Sequence, residues 1–205
     1  GFDKNAEIIN ILPHVGFGFT EVGSVTAKQC NGNPKPRLWR LKKSKGLVVY
    51  YGLKNDGAHA IQKRLTKKKF KIPLGISIAK TNCRETVDRK AGIQDYVESM
   101  KILKDFGDYF TINISCPNAY GGLPFTSADS LTELLSEIRK ISINKPLFLK
   151  LPPDLQKSEI DKIIELAEKY KIAGFVCTNL TKDRDNKKII KMIYDKNVPE
   201  KGGIS

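Results

Sequence analysis

Short apolar, β-prone runs alternate along this chain with longer segments whose apolar residues recur at helical spacing. The pattern predicts strands over residues 17–25, 72–78, 109–114, 146–151 and 173–177, with a Pro/Gly-rich loop after the first strand. The predicted helices are residues 6–12, 55–69, 92–105, a segment that begins at Ser127, 158–170 and 187–194. Strict alternation of strand and helix favours a parallel sheet with right-handed crossovers, which belongs to the α/β class.

The number of strand–helix units indicates a (β/α)8 TIM barrel that is truncated at both ends of this chain. Such a barrel typically needs about 250 residues, whereas the chain has 205. We therefore expect a single domain over residues 1–205, incomplete because its first strand is clipped and its last two βα units are missing. An open flavodoxin-like sheet is the alternative architecture.

Composition narrows the class of protein further. Hydrophobic residues make up 40% and charged residues 28% of the chain, which is ordinary for a globular domain. No apolar run approaches the roughly 20 residues that a membrane-spanning helix needs. The four cysteines are scattered, with no CxxC pair and no Cys/His cluster at metal-ligand spacing. We therefore expect reduced thiols in the cytoplasm and no metal site.

The net charge of +14 raises the question of an anionic partner. Its lysines concentrate at residues 42–45 and 67–71, and such patches can meet nucleic acid or an anionic membrane. Charge runs of this kind more often cover solvated helix and loop faces. Aromatic residues do not interleave with these lysines, as a single-strand-binding platform would require. We therefore expect no nucleic-acid partner.

The hexapeptide at 113–118, Asn-Ile-Ser-Cys-Pro-Asn, follows the predicted strand 109–114, where that strand opens into a loop. In a (β/α) barrel, this edge is where reacting groups are held. A thiol at Cys116, flanked by the amides of Asn113 and Asn118, could act on a planar polar substrate. The alternative is a strand end capped by ordinary turn residues.

Polar residues also follow the other predicted strands and would point to the same mouth in a barrel. They are Lys4, Ser24, Ser77 with Lys80, Lys150, Thr178 and Asn179. At the end of an apolar strand, Lys150 must find a partner or lower its pKa, so it could neutralise an anionic cofactor or form a structural ion pair. Lys4 could pair with a substrate carboxylate or lie on the surface. Asn179 could bind a substrate edge or occupy a turn.

The chain resembles the dihydroorotate dehydrogenases, flavin enzymes of pyrimidine synthesis, along nearly its whole length. Three segments look like the class 2, quinone-linked branch: GFDKNAE at 1–7, GFGFTEVGSVT at 16–26 and GNPKPRLWRL at 32–41. Others fit the family generally: NISCPN at 113–118, KLPPDL at 150–155, TN at 178–179 and GGIS at 202–205, which resembles the family's GGLS. Their common order along the chain is a much stronger signal than any one motif.

The resemblance implies a (β/α)8 barrel that holds FMN at its mouth. It implies oxidation of (S)-dihydroorotate to orotate in de novo pyrimidine (UMP) biosynthesis. Cys116 would be the base that removes the C5 proton while hydride passes from C6 to flavin N5. The implied substrate-binding residues are Lys4, Asn113, Asn118 and Asn179. The implied FMN-binding residues are Gly1, Lys4, Ser24, Ser77, Asn113, Lys150 and Thr178.

Several positions depart from the class 2 pattern. Class 2 enzymes usually carry serine as the base, whereas Cys116 matches class 1. Val49 stands where a substrate-binding asparagine is expected, and Leu53 replaces a phenylalanine. Ser77 replaces a flavin-contacting asparagine, and Leu180 replaces a threonine. The resemblance therefore predicts altered contacts on one side of the substrate.

The class 2 likeness makes a quinone the candidate electron acceptor, beside dihydroorotate and orotate as the small-molecule partners. It implies a cytoplasmic protein with peripheral contact to the inner face of the cell membrane, through segments absent from this chain. A tRNA dihydrouridine synthase, which also pairs an FMN barrel with a catalytic cysteine, is the alternative function. Another dihydropyrimidine-acting flavoenzyme belongs to the same alternative.

Overall fold

The computed structural model describes residues 2–205, without the side chains of residues 188 and 190. Its strands are β1 (Thr20–Val25), β2 (Leu38–Leu41), β3 (Gly46–Val49), β4 (Leu74–Ile78), β5 (Tyr109–Asn113), β6 (Leu147–Leu151), β7 (Gly174–Cys177) and β8 (Gly203–Ile204). Its helices are α1 (Ala58–Thr66), α2 (Arg89–Leu103), α3 (Ala128–Arg139), α4 (Lys157–Lys169) and α5 (Lys187–Met192). None of the helices in this part of the chain has the length and apolar character that crossing a bilayer requires.

The main sheet is parallel and joins β1, β4, β5, β6 and β7 in that order. One helix lies between each pair of successive strands from β4 to β7. A flavodoxin-like sheet reverses its strand order at a switch point, and the strands of this sheet show no such reversal. Strand order that follows chain order is what a (β/α)8 barrel requires, so the predicted fold class is confirmed.

The core lies between this sheet and the helices that cover it. All five residues of β4 are buried, as expected for a parallel strand covered on both faces. Phe110 and Ile112 of β5 share one buried cluster with Met100 and Leu103 of α2. The strands at the centre of the sheet are therefore held firmly, and so are the loops that leave their carboxyl ends.

Helix starts follow local capping chemistry. The Ser127 side chain accepts a hydrogen bond from the backbone N–H of Ser130, so α3 begins where the sequence predicts. Helix α4 begins one residue before the predicted Ser158. There the backbone N–H of Gln156 donates to Glu159 Oε2 at 2.7 Å, which fixes the first turn.

The helix predicted for residues 6–12 is wrong. The carboxylate of Asp3 accepts the backbone N–H of Ile8 at 3.0 Å and so draws the chain into a turn. Ala6 has a φ of 60°, a left-handed conformation that interrupts a right-handed helix. Only a short 3-10 turn follows, at Leu12–Val15. The side chain of Asp3 therefore overrides the helical spacing of the apolar residues.

The Pro/Gly-rich segment after β1 contains a hairpin that the sequence pattern did not predict. Strands β2 and β3 pair antiparallel, and β3 also pairs with β8. The hairpin reaches the carboxyl ends of the parallel strands, because Asn118 Nδ2 donates to the backbone carbonyl of Val49 at 2.8 Å. Residues 49–54, which we call the hairpin wall, therefore face the strand ends across a cavity.

Candidate active site

An open cavity of about 170 Å³ lies where the parallel strands end and the hairpin wall begins. Seven of the residues singled out from the sequence line it: Lys4, Ser24, Asn113, Cys116, Asn118, Lys150 and Asn179. They come from the ends of four parallel strands, the loop after β5 and the segment before β1. The fold thus brings together residues that are up to 175 positions apart in the chain.

Hydrogen bonds tie three neighbouring strand ends to one another. The hydroxyls of Ser24 and Ser77 lie 2.7 Å apart. Asn113 Nδ2 donates to Ser24 Oγ at 2.8 Å, while its Oδ1 accepts from the Ser115 hydroxyl at 2.8 Å. Ser77 is buried behind Ser24 and supports it from the adjacent strand. We call the group Ser24, Ser77, Asn113 and Cys116 the sheet wall.

Gly23 brings the backbone of β1 close to the cavity. Its φ is 116°, in the region that favours glycine. A Cβ at this position would lie 2.5 Å from the backbone carbonyl oxygen of Ser77 and 2.7 Å from the amide nitrogen of Val25. Any side chain would therefore displace backbone atoms of β1 or β4. Gly23 also lines the cavity, so β1 presents backbone atoms to a ligand there.

Cys116 is half-buried between this cavity and a smaller one behind its loop. Burial raises the pKa of its thiol, because a thiolate loses hydration there. A backbone hydrogen bond at Asn118 and the positive charges of Lys4, Lys182 and Lys80 oppose this effect. Burial has the larger effect, so Cys116 is a neutral thiol at pH 7. The surrounding cations stabilise the thiolate when it forms.

Cationic side chains gather on one side of the cavity. The Lys4 ammonium lies 5.5 Å from the centre of the Tyr51 ring, and the Arg37 guanidinium lies 5.3 Å from the same centre. Burial lowers the pKa of Lys4; Cys116 opposes that shift, and the positive charges of Lys150, Lys54 and Arg37 add to it. An anionic ligand would relieve this repulsion, so the cavity favours a carboxylate or a phosphate.

Asn118 leaves an unused hydrogen-bond acceptor at the cavity. Its residue is 9% exposed, and its Oδ1 is buried without a partner among the described residues. Its Nδ2 is held by the Val49 carbonyl, which fixes the direction of the side chain. Buried polar atoms are normally satisfied. The free oxygen therefore suits a ligand that carries an N–H group.

Both the nitrogen and the oxygen of the Asn179 side-chain amide already form hydrogen bonds within the protein. Its Nδ2 donates to Ser115 Oγ at 3.0 Å, and its Oδ1 accepts from the backbone N–H of Leu180 at 2.9 Å. One amide hydrogen remains for a ligand. The interpretation of Asn179 as a cavity residue agrees with its position, because it links the end of β7 to the loop after β5.

Three residues suggested for a cofactor differ in their position. Lys150 is half-buried at the cavity instead of fully buried at the end of β6. Thr178 is exposed, and its hydroxyl donates to the backbone carbonyl of Asn179. Gly1 lies outside the described residues. The structure thus puts Lys150 where it can meet an anion, and turns Thr178 toward its own backbone.

Sequence reasoning missed the aromatic and backbone parts of the site. The Tyr51 ring contacts two cations, Lys4 and Arg37, and Gly23 provides the close approach of β1 to β4. The glycine had a local signal, since it interrupts an apolar strand and thereby suggests a bulge. Tyr51 had none, because its role depends on a hairpin that only tertiary contacts define.

Comparison with known proteins points to one family. The dihydroorotate dehydrogenase family model matches residues 1–205. A protein of Trichodesmium erythraeum named dihydroorotate dehydrogenase (quinone) is 39% identical over 212 residues, which cover 100% of this chain and 55% of that protein. A protein of the same name from Synechococcus sp. (strain JA-3-3Ab) is 40% identical over 190 residues, which cover 92% of this chain and 50% of that protein. The chain thus spans about half the length of these curated relatives.

Solved structures agree with the sequence comparisons. A crystal structure of ligand-free dihydroorotate dehydrogenase (DHODH) from Eimeria tenella matches with a TM-score of 0.87 at 28% identity. The match covers 100% of this chain and 62% of that one. A second structure from the same organism, in complex with ferulenol, gives a TM-score of 0.86 over 100% and 60% of the two chains. The comparisons do not favour the dihydrouridine synthase alternative.

Proposed function

The chain belongs to the dihydroorotate dehydrogenase family, whose members depend on a flavin, and from this premise we propose that the protein oxidises (S)-dihydroorotate to orotate. FMN is the proposed flavin, and the proposed pathway is de novo pyrimidine biosynthesis. Residues 1–205 would form a single barrel domain around this site. Because the chain spans about half of its relatives, the activity is assigned to the intact protein.

The observation that carries the proposal is the meeting of a thiol, a cation and a free amide oxygen at one cavity. Cys116, Lys4 and Asn118 all line it. Dihydroorotate has a carboxylate for Lys4 and a ring N–H for the unpartnered Oδ1 of Asn118. Two point contacts of opposite polarity orient a planar ring, and Asn113 and Asn179 each have one amide hydrogen left for its carbonyl oxygens.

The residues of the sheet wall fit a flavin. Gly23 lines the cavity with backbone atoms, and Ser24 and Asn113 present polar groups beside it. Lys4 and Lys150 provide positive charge at the same cavity. We propose that Ser77 supports Ser24, and that Gly1 and Thr178 contribute backbone contacts. When bound, the flavin would accept the hydride that leaves the substrate.

Cys116 is the proposed base. As a thiolate it would take the proton from C5 of dihydroorotate, and the Lys4, Lys80 and Lys182 charges favour that thiolate. Asn118 would hold the ring against Cys116, since its side chain is fixed by the Val49 carbonyl. After the reaction, the neutral thiol would pass its proton to solvent through the open side of the cavity.

The oxidant would be a quinone, as in the names of the bacterial relatives. We propose a cytoplasmic protein that meets the inner face of the cell membrane to reach it. Vesicle flotation of the intact protein with and without quinone-containing lipid would test this part separately.

The test is a titration of the intact apoprotein with FMN, followed by anaerobic addition of dihydroorotate. We expect stoichiometric FMN binding and loss of the oxidised flavin absorbance, with orotate as the product. Dihydrouridine-containing tRNA, added instead of dihydroorotate, should leave the flavin oxidised. Binding of FMN with no reduction by dihydroorotate would contradict the substrate assignment.

A further inference from the structure

Lys80 is a buried cation that does not line the ligand cavity. It lies two residues after the end of β4 and is 3% exposed. Its ammonium donates to the backbone carbonyl of Tyr120 at 2.8 Å and to Thr86 Oγ1 at 3.4 Å. Neither partner is a carboxylate, and the ion pairs formed within residues 2–205 involve other side chains. A buried ammonium without a carboxylate costs free energy, so it calls for a compensating role.

The Tyr120 peptide, four residues after Cys116, is held from both sides. Lys80 binds its carbonyl, and Asn82 Oδ1 accepts its N–H at 2.7 Å. Asn82 also donates to the backbone carbonyl of Gly52 at 3.0 Å. The loop that carries Cys116 is thereby fastened to the end of β4 and to the hairpin wall. Lys80 is the charged residue among those that form these hydrogen bonds.

Lys80 and Cys116 also line a second, smaller cavity, which shares Leu53, Asn113 and Cys116 with the ligand cavity. Leu53, Tyr96 and Phe125 form much of the rest of its surface. Apolar surroundings exclude water and strengthen the interaction between charges. Cys116 therefore shares the smaller cavity with Lys80 and the ligand cavity with Lys4, while Lys182 adds a third positive charge.

The other titratable groups around Lys80 do not cancel this arrangement. Burial lowers the pKa of Lys80, whereas Cys83, Asp95 and Cys116 raise it. Asp95 is occupied, because its Oδ1 accepts the backbone N–H groups of Ala27 and Thr81 at 3.2 and 2.9 Å. Either thiolate could act as a counter-charge for the Lys80 ammonium, and Cys116 is the one that shares its small cavity.

We propose that Lys80 is a positioning residue for the proton-accepting thiol: its buried ammonium fastens the Cys116 loop and stabilises the thiolate over the thiol. Only the catalytic meaning of that thiolate rests on the proposed function. The coupling between Lys80 and Cys116 is a property of the protein and can be measured without substrate or turnover.

The first test measures how fast iodoacetamide labels Cys116 as a function of pH, by peptide mass spectrometry of the intact protein. Lys80→Gln keeps an N–H donor for the Tyr120 carbonyl but removes the charge. We expect it to slow labelling of Cys116 by about three- to tenfold below the midpoint, because the thiolate fraction falls. Lys80→Arg should keep the midpoint near that of the parent. An unstructured cysteine-containing peptide, added to every sample, serves as the internal reference.

Asn82→Ser separates the effect of holding the Cys116 loop in place from the effect of the Lys80 charge. The shorter serine side chain takes the acceptor out of reach of the Tyr120 N–H but leaves the ammonium in place, so the midpoint of Cys116 labelling should stay at the parental pH. Identical profiles for Lys80→Gln and the parent would overturn the proposal. A midpoint that moves equally in Asn82→Ser and Lys80→Gln would also overturn the charge effect, since it would show that loop order alone controls the thiol.

A second measurement leaves Lys80 unchanged and so does not depend on the folding of a Lys80 variant. With 15N-labelled lysine, the Nζ resonance of Lys80 should step at the pH where Cys116 ionises. The step should vanish in Cys116→Ser. A resonance that passes through this pH range without a step would contradict the coupling, whereas loss of flavin reduction in Cys116→Ala tests the proposed function alone.

Discussion

The two walls of the cavity are built differently. The sheet wall rests on strands of the parallel sheet, and hydrogen bonds of 2.7 and 2.8 Å join Ser24, Ser77 and Asn113 across three of them. The hairpin wall, residues 49–54, starts at the end of β3 in the separate three-stranded sheet of β2, β3 and β8. Asn118 and Asn82 join it by hydrogen bonds to the loops that follow β5 and β4. It also carries Val49 and Leu53, two departures from the family pattern.

The difference separates chemistry from recognition. A group that must move a proton needs a fixed position, and strand ends in a packed sheet provide it. The hairpin wall is joined to the rest of the cavity by a few hydrogen bonds, so its side chains can be substituted without disturbing the parallel sheet. We therefore expect changes in the sheet wall to abolish turnover or folding, and changes in the hairpin wall to alter affinity for the substrate.

The largest effect is expected at Cys116. Cys116→Ala removes the proton acceptor, so turnover of dihydroorotate should fall by about 10²- to 10⁴-fold. The affinity for FMN should stay within about twofold, because alanine fills less space and removes no cavity charge. Stopped-flow flavin reduction and an FMN titration measure the two quantities. Cys177→Ala, at an exposed cysteine of β7, is the matched control and should reduce the flavin at the parental rate.

The pH dependence of flavin reduction should follow the thiolate. A base acts in its deprotonated form, and burial raises the pKa of Cys116, so reduction should be slow near neutrality and rise with pH. Below that pKa, each pH unit changes the thiolate fraction by about tenfold. Stopped-flow rates measured from about pH 6 to about pH 9 would show this rise of the reduction rate with pH. Reoxidation of the reduced flavin by a quinone does not use Cys116 and serves as the control. A flat profile for reduction would argue against a thiolate base.

The stability of the sheet wall depends on Gly23. Gly23→Ala puts a Cβ 2.5 Å from the Ser77 carbonyl oxygen at a φ of 116°, so the free energy of unfolding should fall by about 2–3 kcal/mol. Urea denaturation of the intact protein measures it. Gly18→Ala is the matched control, since a Cβ there meets nothing within 4 Å. Equal stability of the two variants would mean that β1 can shift, and that the sheet wall is less rigid than its hydrogen bonds indicate.

The sequence predicted the sheet wall well and the hairpin wall poorly. Apolar runs fixed the parallel strands, and residues that follow them, such as Asn113 and Lys150, necessarily reach the same edge. The hairpin wall depends on pairing between β3 and β8, which are about 150 residues apart and leave no local pattern. The failed helix at residues 6–12 has the same cause on a smaller scale, because one carboxylate at Asp3 outweighed the periodicity.

The smallest effect is expected at Val49, and it separates the two walls most directly. Val49 lines the cavity through its half-buried side chain, at a position where the family pattern has a substrate-binding asparagine. Val49→Asn should lower the KM for dihydroorotate by about two- to fivefold, as one added hydrogen bond of about 0.5–1 kcal/mol would. The kcat should change little, because Cys116 and its cations stay in place.

Leu47→Asn is the matched control, since Leu47 lies on the same face of β3 but is 37% exposed. It introduces the same amide on the same strand at a residue that does not line the cavity, so its KM should equal that of the parent. A large loss of kcat in Val49→Asn would show that the hairpin wall positions the reacting groups after all. An unchanged KM would instead place the substrate wholly against the sheet wall, and recognition would then reside with Lys4, Asn118 and Asn179.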